Sequence, residues 1–379
     1  MNNIFDYATK ELSQDAFLCW SINWLTQGAD EPLYPYGKAM LDLFLSEDKQ
    51  ERYYDVEVYN QYQKIDVLIK YKDSAGHSHA LIIEDKTNTS EHDDQMQRYK
   101  KKLLETTSKD ADRETGNDLV IHLAYIKTGI MYDDDAHISN IGAVVIGLDD
   151  LLNVVSHFAR SNVSEILSDF NEHIQKIKND RVAIEKQIED GRYETALKER
   201  YGQFYFLDRI FNTRSKGTEI GKRYIEHKTN SSVRVDQIYA GTNNSGAPWT
   251  QYCFCGKRYP TNLFNSNENE YHYLFWRIDC KHDQKPYIAL RHYDSHAHAK
   301  NNDEANERKK DIYRKLRSFA DERYNNGGDP LFAKIGVREN YKESDLLFIP
   351  VEKLEQKHMT FAEVERLLND ITASFKEVY

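Results

Sequence analysis

The spacing of apolar and polar residues predicts an α/β fold for the first half of the chain. Apolar residues recur three or four positions apart, as in helices, in the segments 6–27, 35–45, 90–107, 149–159 and about 163–200. Alternation rich in Tyr, Val and Ile, as in strands, covers the segments 53–60, 64–71, 79–86, 118–126 and 143–148. The pattern therefore predicts a helical start, a meander of three strands, a helix, two strands and a helix around a mixed sheet.

The second half of the chain predicts a separate α+β domain. Strand-like segments occupy 231–240, 250–257, 271–279, 285–293 and 344–350, and helical spacing occupies 303–324 and 361–375. A chain of 379 residues is long for a single core. We therefore expect one domain at residues 1–160, a helical linker at 161–200 and an α+β domain at 201–379.

The charge of the chain is uneven along its length. The net charge of -11 argues against a protein that coats nucleic acid without specificity. Residues 1–180 hold 18 lysines and arginines against 32 acids, an imbalance that a metal site would help to explain. The sequence shows no long apolar run and no secretory signal, and its four cysteines lack the spacing of a zinc site, so we expect a cytoplasmic protein.

The candidate chemistry lies where the apolar run in "HALIIEDKTN" ends in three charged residues. Residues two apart on a strand face the same side, so Glu84 and Lys86 should project together while Asp85 faces the other way. Antiparallel pairing of 65–71 with 80–86 would bring Asp66 beside Glu84 and Lys86. Two carboxylates so close repel each other unless a cation lies between them, and an oxygen-only pair suits Mg2+ or Mn2+. The lysine could orient an attacking water or stabilise a phosphorane-like transition state.

Residues 65–86 resemble the PD-(D/E)XK nuclease superfamily. Asp66 matches the first acid of the motif, Glu84 the second acid and Lys86 the lysine, while Ile65 replaces the proline that gives the motif its name. The resemblance extends to two further helices. Gln95 and Tyr99 in "QMQRY" match a Q-x-x-x-Y element, and Glu11 resembles the first-helix acid of one bacterial branch.

This resemblance implies a restriction-endonuclease-like αβββαβ core over roughly residues 5–150 and a Mg2+-dependent nuclease. In the family the acids hold Mg2+ and the lysine assists the attacking water. Carried over to this chain, the metal ligands are Asp66, Glu84 and Glu11. The catalytic set is Asp66, Glu84, Lys86, Gln95 and Glu11, with Tyr99 in a supporting role.

Several residues keep a second interpretation. Glu57 could join the metal ligands, and Asp85 is expected to be structural, as a cap for the loop at Thr87. A group of polar residues near position 295 could form a second metal site, although a solvated loop is favoured. That group is His292, Asp294, His296 and His298.

The second domain is expected to supply nucleic-acid contacts through a basic helix, the alternative being a charged solvent-facing surface. Its basic residues are Lys309, Lys310, Arg314, Lys315 and Arg317. The expected partner is nucleic acid, with DNA favoured over RNA. A homodimer is left open, and no association with a membrane is expected. The competing functions are a catalytically silent nuclease-fold binding or sensor module in bacterial defence and, ranked last, a hydrolase of a smaller phosphoester. The sequence does not distinguish endonuclease from exonuclease action or reveal a sequence preference.

Overall fold

The chain forms two compact units, Met1–Asn179 and Asp180–Tyr379, each with its own five-stranded sheet. The computed structural model describes residues 3–7, 11–45, 49–87, 94–110, 119–132, 138–160, 163–212, 236–258, 271–280, 285–294, 303–325, 330–337 and 342–379. Helices accompany both sheets, so the predicted α/β class is confirmed. The predicted domain boundaries at 160 and 200 stay predictions. Within the described ranges, no helix is long and apolar enough to cross a membrane.

The first unit contains a mixed sheet with helices on both faces. Its strands are β1 (Tyr54–Tyr62), β2 (Ile65–Lys72), β3 (Ser78–Lys86), β4 (Val120–Lys127) and β5 (Val144–Gly147). Its helices are α1 (Glu11–Asn23), α2 (Tyr34–Leu45), α3 (Gln95–Asp110), α4 (Leu148–Ala159) and the start of α5 (Glu165–Glu189). The strands are ordered β1-β2-β3-β4-β5, antiparallel in the first two pairings and parallel in the last two. The predicted mixed sheet with an initial meander is confirmed.

The central strand β3 is buried on both faces, which explains its unbroken apolar run. Leu81 and Ile83 pack with α1, α2 and α4, whereas Ala80 and Ile82 pack with α3. This alternation fixes the direction of the charged residues that follow. Glu84 continues the face covered by α3, and Asp85 continues the face covered by α1.

The long helix predicted for about 163–200 is wrong in its second part. Helix α5 ends at Glu189, and Gly191 follows with a φ of 76°. The Arg192 N–H donates to the carbonyl of Gln187 at 2.8 Å, which closes the helix in the manner of a glycine cap. The chain then continues in a short separate helix.

The second unit contains a fully antiparallel sheet ordered β10-β9-β8-β7-β6. Its strands are β6 (Gln237–Thr242), β7 (Pro248–Arg258), β8 (Tyr271–Cys280), β9 (Pro286–Asp294) and β10 (Glu343–Pro350). Its helices are α6 (Tyr193–Ala196), α7 (Arg200–Phe211), α8 (Asp303–Ala320), α9 (Val351–Gln356) and α10 (Phe361–Val378). Trp276 is fully buried and its indole N–H donates to Thr372 of α10 at 2.8 Å, which ties this helix to the sheet.

Candidate active site

The β2–β3 hairpin places two acids and a lysine at one end of the first sheet. Val67 pairs with Ile83, so Asp66 and Glu84 are the next residues outward on the two strands. The Lys86 Nζ lies 2.5 Å from Glu84 Oε1 and 3.4 Å from Asp66 Oδ2. The structure therefore brings together the three residues that the strand pattern placed on a shared face.

Lys86 is held by oxygen atoms on several sides. Besides the two carboxylates, its Nζ donates to the backbone carbonyl of Asp85 at 3.0 Å. Burial alone would lower the pKa of Lys86, but the carboxylates of Glu84, Asp66 and Glu11 outweigh burial and raise that pKa above its ordinary value. The ammonium group therefore stays charged at neutral pH, although Glu84 beside it is fully buried.

On the opposite face of β3, the buried Asp85 contacts helix α1. Its Oδ1 accepts a hydrogen bond from Gln14 Nε2 at 2.6 Å, and Gln14 in turn accepts from the Thr128 hydroxyl at 3.0 Å. The Asp85 backbone N–H donates to Asp66 Oδ2 at 3.1 Å. Burial, followed by the nearby Asp15 carboxylate, raises the pKa of Asp85 well above its ordinary value. Asp85 thus links the first helix to the strand end that carries the acids.

Glu11 fixes the end of β3, and the predicted cap at this point is wrong. The Thr87 N–H donates to Glu11 Oε1 at 3.0 Å instead of being capped by Asp85. The side chain of Asp85 points to the α1 face and is already engaged by Gln14. Glu11 therefore lies at the edge of the acidic site, and its charge helps to raise the pKa of Lys86.

Asp15 is a further buried acid of the site. Its Oδ2 accepts from Gln61 Nε2 at 2.9 Å, and the same nitrogen donates to Asp66 Oδ1 at 3.3 Å. Burial and the nearby Asp66 charge raise the pKa of Asp15 to about 6. The Asp15 and Asp85 carboxyl groups also act on each other, which lowers the pKa of Asp15 and raises that of Asp85.

Helix α3 brings Tyr99 toward the acids and joins it to Gln95. Gln95 Nε2 donates to the Tyr99 hydroxyl at 2.7 Å. The pKa of Tyr99 is raised by burial and by the charges of Glu84 and Asp66, while the bond from Gln95 opposes this rise. Tyr99 is therefore within electrostatic range of both acids, and Gln95 reaches the site through Tyr99.

Glu57 does not belong to this site, so its interpretation as a metal ligand is wrong. It stands opposite Lys70 in the β1–β2 ladder and accepts a hydrogen bond from the Tyr59 hydroxyl at 2.6 Å. Asp66 lies four residues from Lys70 on β2. At the usual rise of a strand, Glu57 is therefore about 13 Å along the ladder from the acids.

The donor atoms around Lys86 fit a small divalent cation. Among the described residues, no three metal-ligating side chains come together. Mg2+ does not need three, because it often binds one or two carboxylates and keeps several waters or substrate phosphates. The Asp66 and Glu84 carboxylates and the Asp85 carbonyl are hard oxygen donors that already surround one cation, the Lys86 ammonium.

The basic residues of α8 do not form one exposed surface. The expected nucleic-acid contact is therefore wrong for two of them, Lys309 and Arg317. Lys309 is buried and paired with Asp294 at 3.2 Å, and Arg317 is buried and paired with Asp321 at 2.8 Å. The other three contact groups on the protein as well. Lys310 and Arg314 lie 2.8 and 3.5 Å from Glu307, and Lys315 donates to the carbonyl of Val378 at 2.9 Å. Nucleic-acid binding by these three residues stays a prediction.

The predicted histidine cluster near residue 295 lies only partly within the described residues. His292 and Asp294 are buried in β9, so the solvated-loop interpretation is wrong for these two residues. Asp294 is paired with Lys309. His296 and His298 lie outside the described residues.

Several residues of the site escaped the sequence interpretation. Gln14 and Asp15 lie three and four positions after Glu11, a spacing that places all three near one face of α1. Polar residues at that spacing within a buried helix were the available indication. Gln61 was missed because the predicted strand ended at residue 60, whereas β1 extends to Tyr62.

Comparison of the chain with models of known protein families, with curated proteins and with solved structures found no match. The function of this chain is therefore inferred from the site itself. Its main features are the register of the β2–β3 hairpin, the buried carboxylates and the charged lysine between them.

Proposed function

We propose that the chain is a Mg2+-dependent nuclease that hydrolyses phosphodiester bonds, with DNA favoured over RNA as the substrate. The observation that carries this proposal is the position of the Lys86 ammonium, 2.5 Å from Glu84 and 3.4 Å from Asp66 at one end of a hairpin. Such a cluster is costly to bury, and clusters of this kind are common where charge is used in a reaction.

We also propose that the first unit has a restriction-endonuclease-like core of the PD-(D/E)XK kind. Support comes from the order of α1, β1, β2, β3, α3, β4 and β5 along the chain, and from the change to parallel pairing at β4. The positions of the two acids on adjacent antiparallel strands and of the lysine two residues after the second acid agree with that motif.

The residues of the site would divide the chemistry among them. Asp66 and Glu84, with the carbonyl of Asp85, would hold Mg2+, which would polarise a phosphoryl oxygen and lower the pKa of a bound water. Because the pKa of Lys86 is raised, its side chain is a charged donor and not a proton acceptor. Lys86 would therefore stabilise negative charge that develops on the phosphoryl group.

The surrounding residues would hold this arrangement in place. Glu11 anchors the backbone after Lys86 through the Thr87 N–H, and Tyr99 closes the α3 side of the site. Gln95 orients the Tyr99 hydroxyl through its 2.7 Å hydrogen bond. On this proposal, Glu11, Gln95 and Tyr99 position groups beside the reacting phosphodiester.

The proposal is tested by cleavage of supercoiled plasmid, single-stranded DNA and RNA of matched sequence with Mg2+ or Mn2+. Asp66→Ala and Lys86→Ala should each reduce the rate by about 100-fold or more, since both remove charge needed in the transition state. Lys72→Ala is the matched control, because Lys72 lies on the same β2 strand as Asp66 but pairs with the exposed Asp55 at 2.7 Å. Its rate should remain within about twofold of the wild-type rate.

Two outcomes would contradict the proposal. Equal rates in wild type, Asp66→Ala and Lys86→Ala would show that cleavage arises elsewhere. Failure of the folded wild type to cleave any of the three substrates with either metal would remove the nuclease assignment.

A catalytically silent binding or sensor module remains the second candidate. One observation favours it: Lys86 occupies the space between the acids, and no third metal-ligating side chain joins them among the described residues. This candidate predicts that the wild type binds nucleic acid in a gel-shift assay but neither takes up Mg2+ nor cleaves. Metal uptake that depends on Glu84 would exclude it.

A further inference from the structure

The chain leading into Asp66 has an unusual backbone. Three residues within four positions have left-handed φ angles although none is glycine: Gln61 at 55°, Gln63 at 53° and Lys64 at 77°. A side chain in this region crowds the backbone, so such conformations persist only where the surrounding structure enforces them.

Two of these residues are explained by the hairpin turn. Gln63 and Lys64 connect Tyr62 to Ile65, which form the last pair of the β1–β2 ladder. Two-residue hairpin turns of the commonest kind need a positive φ at both central positions. The turn therefore explains the positive φ angles of Gln63 and Lys64 but not that of Gln61.

Gln61 lies inside the ladder, directly across from the first acid. The pairs Asn60–Val67 and Tyr62–Ile65 flank it, so the position opposite Gln61 is Asp66. The pairing register continues unbroken on both sides of Gln61, so its left-handed φ is not the mark of a bulge. The Gln61 side chain reaches two acids of the site, Asp15 and Asp66.

The Gln61 amide holds one side of the Asp66 carboxylate. Gln61 Nε2 lies 3.3 Å from Asp66 Oδ1 and 2.9 Å from Asp15 Oδ2. The other oxygen of Asp66 accepts from the Asp85 N–H at 3.1 Å and faces Lys86. Both oxygens are therefore oriented, one by the opposite strand and one by the strand end that carries the lysine.

We propose that Gln61 is a positioning residue, kept on a strained backbone, whose amide holds the Asp66 carboxylate in place for metal binding. The inference rests on the proposed nuclease function. A residue that served only the hairpin would be replaced by glycine without loss, since glycine adopts a positive φ at no steric cost. A positioning residue would instead lose function on that change while the fold kept its stability.

The test compares Gln61→Gly with the matched control Lys64→Gly, another left-handed residue of the same hairpin. The melting temperature, the Mn2+ affinity by titration calorimetry and the rate of plasmid cleavage are measured for both variants and for wild type. Both variants should melt at or above the wild-type temperature, because glycine relieves the strain. Gln61→Gly should weaken Mn2+ binding and slow cleavage by about tenfold, as loss of an orienting partner typically does. Lys64→Gly should match wild type in both measurements.

The outcomes separate this inference from the function on which it rests. Wild-type Mn2+ affinity and cleavage in Gln61→Gly would overturn the role of Gln61 and leave the nuclease proposal intact. A melting temperature that falls in Gln61→Gly alone, together with weaker activity, would assign Gln61 a merely structural role. Absence of both Mn2+ binding and cleavage in wild type would overturn the function and the inference together.

Discussion

The two units bury charge in different ways. In the first unit, the Lys86 ammonium lies between the Asp66 and Glu84 carboxylates, and the charge of Glu11 also acts on it. Two further buried acids, Asp15 and Asp85, lie on the α1 side of this strand end. In the second unit, two largely buried arginines lie among carboxylates: Arg277 lies 3.1 Å from both Asp279 and Glu343, and Arg291 lies 2.6 Å from Asp345. The second arrangement is close to balanced, whereas the first carries an excess of negative charge that a cation would relieve.

This difference is reflected in the titration of the two units. In the first unit, burial raises the pKa of both Asp15 and Asp85, with a further contribution from Asp66 for Asp15 and from Asp15 for Asp85. Burial lowers the pKa of His272 and His292 in the second unit. The first unit should therefore lose stability as its acids ionise, and the second unit should lose stability as its histidines become protonated. Balanced pairs point to a structural role, and the unbalanced cluster points to function.

The largest expected effect is the acid sensitivity of the second unit. Burial, with Lys257 and Lys309, lowers the pKa of His272 to about 4 from the value of 6.5 expected in the unfolded chain. Between pH 6.5 and 4, His272 is protonated in the unfolded chain but stays neutral in the folded chain. The free energy of unfolding therefore falls as the pH falls from about 6.5 to 4. His272→Asn should reduce this fall by up to about 3 kcal/mol in urea denaturation measured across that range.

The control for this prediction is His157→Asn, which replaces an exposed histidine of α4 in the first unit. Its pH dependence should follow that of wild type. An unchanged pH dependence in His272→Asn would show that this imidazole is not held neutral by the fold.

A smaller effect is expected from breaking a balanced pair. Asp345→Asn removes the carboxylate 2.6 Å from the largely buried Arg291. The free energy of unfolding should fall by about 2 kcal/mol, because a charge in a mostly dry site loses its nearest partner. In chemical denaturation, Glu352→Gln should cost less than about 0.5 kcal/mol, since its pair with Lys285 is exposed. Equal costs for the two substitutions would contradict a structural role for the balanced network.

The smallest effect on the free energy of unfolding is expected in the first unit, from Asp15. Its pH dependence should have the opposite sign to that of His272. The pKa of Asp15 is raised from 3.8 to about 6, so the folded chain holds a proton more readily than the unfolded chain between these values. The free energy of unfolding therefore falls as the pH rises from about 4 to 6. With chelator present, Asp15→Asn should be more stable than wild type by about 1 kcal/mol at pH 7, and this advantage should fade below pH 4.

The control for Asp15 is Asp30→Asn, which removes an exposed acid from the same unit. Its effect on stability should be close to zero at both pH values. If Asp15→Asn were less stable than wild type at pH 7, the ionised Asp15 carboxylate would not destabilise the fold, contrary to the prediction.

The sequence was sufficient for the hairpin and its charged end. Strand alternation fixed the faces of Glu84 and Asp85, and antiparallel pairing predicted the meeting of Asp66 with Lys86. The residues around this cluster were harder to predict from the sequence. Gln61 fell between the predicted strands 53–60 and 64–71, whereas β1 extends to Tyr62 and brings Gln61 across from Asp66.

Long-range pairing limited the interpretation of the second unit. The basic run on α8 has the appearance of a solvent-facing surface, yet Lys309 is neutralised by Asp294 from β9. Which carboxylate meets a given lysine depends on how a helix packs on the sheet, and periodicity within one helix does not contain that information. The same reason applies to His292, which the polar composition placed in a loop and the structure buries in β9.

Calorimetric titration with Mg2+ and Mn2+ is the decisive measurement for the proposed divalent-cation site at Asp66 and Glu84, beside Lys86. Wild type should show saturable binding of at least one of these ions. Glu84→Gln, which keeps the shape of the side chain but removes its charge, should weaken that binding by about tenfold or more. Absence of binding heat in wild type, or wild-type affinity in a folded Glu84→Gln variant, would rule out a divalent-cation site at these carboxylates.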